Sequence, residues 1–166
     1  MTNKEIIAEK IFPDFKSFAA TVKRWKKSGD AIVFTNGCFD LVHMGHVDYL
    51  SKAADMGDRL IIGLNSDQSV RRLKGSKRPY IDEQARAFLL AGLFFVDAVV
   101  LFDEDTPEML ISQILPDILV KGNDYGIKEI AGHETVLSHG GKVETISLVP
   151  GYSTSSIVEK IIQNHE

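Results

Sequence analysis

The sequence predicts one α/β domain with a doubly wound, Rossmann-like parallel sheet of five strands and helices on both of its faces. Short runs rich in β-branched and aromatic residues alternate five times with helical stretches, the pattern of a parallel sheet connected by helices. The chain has 166 residues, 44% of them hydrophobic, which fits a single domain with a full core. We expect residues 1–29 to form a helical extension and residues 30–166 to form the core, with ligands bound at the carboxyl ends of the strands.

The five strands are predicted where buried apolar runs stop at turn residues. They span residues 31–35, 59–64, 98–102, 117–120 and 142–146. Helices are predicted over residues 14–27, 44–56, 83–92 and 134–138. Asp82 is the predicted N-cap of the helix at 83–92. A further helix opens with Thr106 as its cap and Pro107 in its first position, and Pro116 marks its end.

Composition limits the classes of partner. The formal charge of −4, from 19 basic and 23 acidic residues, argues against nucleic acid or an acidic membrane as the main partner. No apolar stretch approaches the ~18 residues of a membrane span, and the N-terminus lacks the apolar centre of a signal peptide, so we expect a cytoplasmic protein. Cys38 is the only cysteine, which excludes an internal disulfide bond and a multi-cysteine zinc site.

The turn that follows the first core strand carries two histidines. His43 and His46 lie on either side of Gly45, so a helix beginning near Met44 brings both imidazoles to one side of its positive N-terminal end. Gly45 leaves room for a phosphate to approach. A lone histidine is usually structural, but this pair at a strand-to-helix turn favours phosphate binding. The sequence contains neither a G-x-G-x-x-G fingerprint nor a P-loop.

Two other chemistries remain open at this turn. His43, His46, Asp40 and Cys38 are in principle a zinc ligand set, although their spacing fixes no tetrahedral geometry. Cys38, near a helix N-terminus, is a candidate nucleophilic thiol, but a small buried residue is the commoner reason for a cysteine at a strand end.

A basic cluster follows the second core strand, at the same predicted edge of the sheet as the histidines. It consists of Arg71, Arg72, Lys74, Lys77 and Arg78. Such clusters are usually solvated loops, whereas the location at this edge favours phosphate binding. Arg86 lies one turn into the next helix, where a surface ion pair with Asp82 or Glu83 is the simplest reading.

Two further segments carry polar groups to this edge. Four hydroxyl residues at 153–156 open the last helix, where Ser156 and Glu159 fit a capping box. An N-cap needs only one hydroxyl group. The additional hydroxyl groups, together with the free backbone N–H groups of the first turn, suit the binding of an anion such as the β- and γ-phosphates of a nucleotide. The segment 121–124 follows the fourth strand. It either contacts the base or ribose of a nucleotide or forms a tight turn.

Five ordered segments resemble a known family. The H-M-G-H at 43–46 resembles the signature of the H-x-G-H nucleotidyltransferases. Within that superfamily, T-N-G-C-F-D at 35–40 is closer to the bacterial D-glycero-β-D-manno-heptose 1-phosphate adenylyltransferases than to the glycerol-3-phosphate cytidylyltransferases. The segments at 65–75, 120–125 and 151–155 resemble the same subfamily. The resemblance covers residues 32–161, nearly the whole chain.

This resemblance implies a reaction. An enzyme of this family moves AMP from ATP, bound with Mg²⁺, to heptose 1-phosphate, and gives pyrophosphate and ADP-heptose for the lipopolysaccharide core. In many bacteria the domain is fused behind a sugar kinase, and because about thirty residues precede the first core strand here, we expect a stand-alone transferase served by a separate heptose kinase. The family also suggests a homodimer. A cytidylyltransferase acting on a polyol phosphate such as glycerol 3-phosphate and a non-catalytic nucleotide sensor are the alternatives.

The resemblance and the residue chemistry together assign the expected roles. The catalytic residues are expected to be His43, His46 and Lys74. Nucleotide binding is expected from Thr35, Asn36, Gly37, Phe39, His43, Gly45, His46, Lys121, Gly122, Asp124, Ser153, Thr154 and Ser155. Binding of the acceptor is expected from Asp40, Arg71, Lys74, Lys77 and Arg86. Asp40 either orients the turn through backbone hydrogen bonds or contacts the acceptor sugar, and the second role is the one favoured. No metal ligands are expected from the protein.

Overall fold

Parallel strands form a single sheet through the middle of the molecule. A computed structural model describes residues 1–165 of the chain. The strands are β1 (Ile11–Phe12), β2 (Ile32–Gly37), β3 (Arg59–Asn65), β4 (Ala98–Phe102), β5 (Ile118–Gly122) and β6 (Lys142–Ile146), in the spatial order β1-β4-β3-β2-β5-β6. The helices are α1 (Asn3–Ala8), α2 (Phe15–Lys27), α3 (Met44–Ala54), α4 (Asp67–Lys74), α5 (Glu83–Ala91), α6 (Glu108–Ile114), α7 (His133–Ser138) and α8 (Thr154–Gln163), with a 3₁₀ turn at Ile127–Glu129.

The sheet has six strands, so the prediction of five was wrong. The additional strand, β1, pairs in parallel with β4 through Ile11 opposite Val99 and Phe12 opposite Val100. It lies inside the segment 1–29 that was expected to be helical only. Two residues are too few to show a strand period, which is why the sequence pattern did not reveal it.

Helices cover both faces of the sheet, as predicted. On one face α2, α6 and α7 pack on strand residues such as Phe34 and Ile61. On the other face α3 and α5 pack on strand residues such as Val33 and Ile62, and Ile7 of α1 joins them. Among residues 1–165, no helix is both long and apolar enough to cross a membrane.

The order of the strands places a crevice beside β2. From β2 the sheet grows through β3 and β4 in one direction and through β5 and β6 in the other. Open parallel sheets of this kind bind ligands where the direction reverses, outside the carboxyl ends of the strands. A ligand-binding site is therefore expected at the carboxyl ends of β2 and β5, near Gly37 and Gly122.

The structure adds one helix that was not predicted, α4, and caps two predicted helices, α6 and α8, differently from the prediction. The basic cluster begins within a helix, α4, because the Ser66 side chain accepts a hydrogen bond from the Ser69 N–H and starts a turn there. Helix α6 begins at Glu108 after Pro107, with no side-chain cap from Thr106. Helix α8 is capped by Ser153, whose box partner is Ser156, and not by Ser156 with Glu159.

Candidate active site

A cleft with two adjoining lobes lies at the carboxyl ends of β2 and β5. One lobe, of about 410 Å³, has an apolar wall and is called the apolar lobe; the other, of about 500 Å³, is lined mainly by polar side chains and is called the polar lobe. Both lobes share a boundary formed by Asn36, Gly37, Cys38, Phe39, His46, Lys74, Lys121 and Thr154. The apolar lobe is completed by His43, Gly45, Tyr49, Gly122, Asp124, Leu148, Val149, Tyr152 and Ser153. The polar lobe is completed by Asp40, Asn65, Leu73, Arg78, Asp105, Tyr125 and Ser155.

Two histidines form the start of α3 and face this cleft. His43 is the N-cap, and its Nδ1 accepts a hydrogen bond of 3.1 Å from the Gly45 N–H. His46 Nδ1 accepts one of 3.3 Å from the His43 N–H, and the two rings are stacked with centroids 3.8 Å apart. Because each Nδ1 acts as an acceptor, the ring hydrogen of each neutral imidazole is on Nε2. Each histidine thus has one N–H left to donate to a ligand.

Both imidazoles are neutral at physiological pH. Burial lowers the pKa of His43 below its usual value. Burial and, secondarily, the neighbouring His43 lower the pKa of His46 from 6.5 to about 4. The pair therefore offers hydrogen bonds without carrying charge.

Phe39 holds the ring of His46 in place. Its backbone has φ of 46°, in the left-handed region, which turns the chain sharply after β2. Its ring meets the His46 ring edge-on, with centroids 5.2 Å apart. A side chain at Gly37 would place its Cβ 2.9 Å from the Phe39 ring, so only glycine fits beneath that ring. At Gly45 a Cβ would lie 3.0 Å from the His43 ring.

Lysines supply positive charge at the boundary of the lobes. Lys121 Nζ donates a 3.1 Å hydrogen bond to the Asn36 carbonyl and lies 5.5 Å from the centroid of the Tyr125 ring. Burial lowers the pKa of Lys121 from its usual value. Lys74 is the last residue of α4 and lines both lobes. Arg72, on the same helix, fixes α4 to the loop after β4 through a 2.9 Å bond to Asp105.

The first turn of α8 closes the cleft on the side of the hydroxyl residues. Ser153 Oγ accepts a 3.0 Å bond from the Ser156 N–H and so satisfies one of the free N–H groups of the turn. Ser153 and Thr154 line the apolar lobe, and Ser155 lines the polar lobe. The remaining N–H groups and the helix dipole make this end of the cleft favourable for an anion.

Asp40 lies at the polar lobe, and its carboxylate is bonded to groups of the protein. Its carboxylate accepts a 2.6 Å bond from Arg78 Nε and further bonds from the N–H groups of Tyr80 and Ile81, and 2% of the residue is exposed. Burial acts to raise the pKa of Asp40, but these hydrogen bonds outweigh it and lower the pKa overall. Asp40 therefore orients the loop before α5, the role that was not favoured from the sequence.

Arg86 is buried and bonded to the protein, so the expectation that it binds the acceptor was wrong. Its exposure is 0%, and it donates to the carbonyls of Cys38, Asn65 and Ile81 at 2.6–2.9 Å. Its remaining contact is a 2.8 Å ion pair with Asp67, and not with Asp82 or Glu83, the partners of the alternative interpretation. The side chain joins the ends of β2 and β3 beneath the cleft.

Three further predicted residues lie outside the cleft lining. Thr35 is fully buried, with Oγ1 2.7 Å from the Tyr49 hydroxyl. Arg71 and Lys77 are exposed and line neither lobe, whereas Arg78 of the same basic cluster lines the polar lobe. The remaining predicted residues line one or both lobes: Asn36, Gly37, Phe39, Asp40, His43, Gly45, His46, Lys74, Lys121, Gly122, Asp124, Ser153, Thr154 and Ser155.

Sequence reasoning missed several residues of the cleft. They are Tyr49, Leu73, Asp105, Tyr125, Leu148, Val149 and Tyr152. Tyr125 and Tyr152 stand next to polar segments that had been singled out, so their position was the available signal. Leu148, Val149 and Asp105 lie in loops with no distinguishing pattern.

The two alternative chemistries at the histidine turn find no support in the structure. Burial raises the pKa of Cys38, the opposite of what an activated thiol requires. Within residues 1–165, no group of three or more His, Cys, Asp or Glu side chains is arranged to hold a metal ion.

A separate cavity of about 280 Å³ lies between the start of α2 and the end of β4. Its charged lining residues are all acidic: Asp14, Glu83, Asp103 and Glu104. Negative charge disfavours a polyphosphate ligand. The two-lobed cleft is therefore the site that suits phosphate chemistry.

Comparisons with known proteins show the family of the chain. The sequence profile of the family described as Cytidylyltransferase-like matches residues 34–160. The bifunctional protein HldE of Citrifermentans bemidjiense is 56% identical over 147 residues, which cover 89% of this chain and 30% of that protein. HldE of Geotalea uraniireducens is 57% identical over 145 residues, covering 87% of this chain and 30% of that protein. The chain thus spans about a third of the length of these relatives.

Solved structures resemble the fold as well. The lipopolysaccharide core biosynthesis protein from Thermoplasma volcanium has a TM-score of 0.60 and 29% identity, covering 73% of this chain and 98% of that one. Pantoate-beta-alanine ligase from Francisella tularensis, at 15% identity and a TM-score of 0.60, covers 92% of this chain and 77% of that one. At that identity the second comparison speaks for the fold alone.

Proposed function

Because the chain belongs to the cytidylyltransferase-like family, we propose that it transfers AMP from ATP to a sugar 1-phosphate, D-glycero-β-D-manno-heptose 1-phosphate, and releases pyrophosphate. The observation that carries the proposal is the boundary of the two lobes, where His46, Lys74 and Lys121 meet. Nucleotide and acceptor phosphates are both anionic, and the cleft concentrates cations and N–H donors where the two would touch. The use of ATP implies a cytoplasmic reaction.

The apolar lobe suits the nucleotide. Leu148, Val149 and Tyr152 give it an apolar wall for a base, and Asp124 adds a polar group for hydrogen bonding. The triphosphate then extends past His43 and His46 towards the first turn of α8, where free N–H groups favour the leaving pyrophosphate.

The polar lobe suits the acceptor. Lys74, Lys121 and Arg78 line it and attract the phosphate of a sugar 1-phosphate. This arrangement points the acceptor phosphate at the shared boundary and leaves the rest of the lobe for the sugar. The two substrates thus approach from opposite sides of His46, as in-line transfer requires.

The reaction needs no base to create the nucleophile. The acceptor phosphate is ionised at neutral pH, and one of its oxygens attacks the α-phosphorus of ATP while the bond from that phosphorus to the bridging oxygen breaks. The electron pair of that bond leaves with pyrophosphate. Negative charge grows on the oxygens around the α-phosphorus and on the leaving group, and His43 and His46 donate their Nε2 hydrogens to it.

Magnesium fits this site as a companion of the nucleotide. Mg²⁺ prefers oxygen ligands and usually keeps several waters beside phosphate oxygens and one or two carboxylates. Because no group of three or more His, Cys, Asp or Glu side chains within residues 1–165 is arranged to hold a metal, the ion would be held mainly by the triphosphate oxygens and water. When bound, the metal neutralises part of the triphosphate charge.

The proposal is tested by pyrophosphate release with Mg²⁺, crossing ATP and CTP against heptose 1-phosphate and glycerol 3-phosphate. We expect turnover with ATP and heptose 1-phosphate alone. Turnover only with CTP would make the protein a cytidylyltransferase. If calorimetry detects ATP binding while all four mixtures release no pyrophosphate, the protein is a nucleotide sensor and the proposal is wrong.

A further inference from the structure

The polar lobe contains two groups that binding of a phosphate does not explain. Its cations are sufficient for a phosphate, yet Tyr125 and Asp105 also line it; the other lining carboxylate close to the histidine turn, Asp40, is bonded to Arg78 and to two backbone N–H groups. A carboxylate repels a phosphate, and an aromatic ring gives it no hydrogen-bond donors beyond one hydroxyl. These two residues call for a ligand that has a part other than its phosphate.

Tyr125 offers a flat apolar surface next to the phosphate-binding charge. It lies three residues beyond the end of β5 and is 46% exposed, so a face of the ring is available. The Lys121 ammonium is 5.5 Å from its ring centroid, which fixes the ring beside the boundary of the lobes. A ligand whose phosphate binds Lys121 would bring its next atoms against this ring. The C–H face of a sugar ring is the kind of surface that packs on it.

Asp105 offers acceptors for hydroxyl groups. Its Oδ1 accepts the 2.9 Å bond from Arg72 Nε, and its side chain is 66% exposed. The bond to Arg72 uses Oδ1, so the other carboxylate oxygen, Oδ2, is available to accept hydrogen bonds from a ligand in the lobe. Hydroxyl groups are the natural donors for such an oxygen.

Resting on the proposed function, we propose that Tyr125 and Asp105 form the sugar-binding part of the acceptor site. The ring packs against the sugar and the carboxylate accepts its hydroxyls. Together they favour a polyhydroxylated ring 1-phosphate over a short polyol phosphate. Glycerol 3-phosphate places too few atoms beyond its phosphate to use both contacts.

The role of Tyr125 is tested by replacing the ring. We expect Tyr125→Ala to raise the KM for heptose 1-phosphate about tenfold or more while the KM for ATP stays within about twofold, because the ring lies in the acceptor lobe only. Tyr125→Phe, which keeps the ring, should recover most of that affinity. An unchanged acceptor KM in Tyr125→Ala, or an equal rise in both KM values, would overturn the assignment.

The role of Asp105 has a matched control in Asp103. Both carboxylates are exposed and both contact Arg72, but only Asp105 lines the polar lobe. We expect Asp105→Asn to raise the acceptor KM about fivefold or more, since a charged acceptor is replaced by a weaker neutral one, and Asp103→Asn to leave it unchanged. Equal effects of the two substitutions would mean that Arg72 anchoring, and not sugar contact, is responsible.

Binding without ATP separates this inference from the proposed function. Titration calorimetry of heptose 1-phosphate into the full chain and its Tyr125→Ala variant measures the acceptor lobe even if no pyrophosphate is released. Weaker binding by the variant supports the sugar contact whatever the reaction proves to be. Equal binding overturns it, and pyrophosphate release by the wild type in the separate assay with ATP would leave the proposed transfer standing.

Discussion

Lowering the pH should destabilise the protein through His46. The unfolded state has an ordinary histidine pKa of 6.5, whereas burial and the neighbouring His43 lower the pKa of His46 to about 4 in the folded state. Between these two values the unfolded chain binds a proton that the folded chain does not bind. The folded state is therefore fully favoured above pH 6.5 and loses stability as the pH falls towards 4.

The size of the effect follows from the two pKa values. At pH 5.5 the unfolded imidazole is about nine-tenths protonated and the folded one almost neutral, which corresponds to about 1.4 kcal/mol of lost stability. The His46 ring is only half-buried and keeps part of its solvent, so we expect about 1 kcal/mol. His43 adds to the loss in the same direction, because burial lowers its pKa as well.

Urea unfolding at pH 7.5 and pH 5.5 measures this loss. His46→Asn removes the titrating group and keeps an oxygen able to accept the His43 N–H, so the variant should lose about 1 kcal/mol less than the wild type over this interval. His139→Asn, at the exposed end of α7, is the control and should lose as much as the wild type. If wild type and His46→Asn lose the same stability, folding does not lower the pKa of His46 and the electrostatic account of the site fails.

Two other substitutions separate chemistry from structure. His46→Ala should lower turnover about 10²–10³-fold while the protein stays folded by circular dichroism, because one donor to the developing charge is removed; near-normal turnover would remove His46 from the catalytic set. Arg86→Leu should lower the free energy of unfolding in urea by about 3–5 kcal/mol, because it leaves three carbonyls and the Asp67 carboxylate without their partner. A decrease in the free energy of unfolding of less than about 1 kcal/mol would show that water replaces the guanidinium as the hydrogen-bond partner of these groups.

Most of the fold was accessible from hydrophobic patterning. The five longer strands and the helices between them are confirmed, as is the family indicated by H-M-G-H at 43–46 together with the flanking segments. β1 was not predicted because two residues are too few to show the alternation of a strand. Its place in the sheet depends on pairing with Val99 and Val100, which are distant in the sequence. Helix α4 escaped because its basic residues suggested a loop, although Ser66 provides an N-cap.

The site was less accessible because it depends on which groups are already paired. Aspartate and arginine commonly bind sugars and phosphates. A sequence cannot show that the side chains of Asp40 and Arg86 already have hydrogen-bond partners within the protein. Asp40 binds the N–H groups of Tyr80 and Ile81, and Arg86 binds carbonyls from three separate segments. Such partners are far apart in the chain. The reverse holds for Tyr125, which looks like an ordinary loop residue until the fold places it in the cleft.

The cleft combines basic side chains with neutral imidazole donors, and in the proposed reaction the two kinds of group would affect different kinetic parameters. In the proposed reaction, Lys121 would attract phosphates in the ground state as well as in the transition state, so much of its effect would be on binding. The neutral imidazoles of His43 and His46 attract a ground-state phosphate less strongly, and their hydrogen bonds gain strength as charge accumulates on the oxygens they contact. Interactions that strengthen only in the transition state raise turnover. In the proposed reaction, a protonated His46 would bind ATP more tightly from the start and lose part of this difference, so the burial that lowers its pKa would favour turnover.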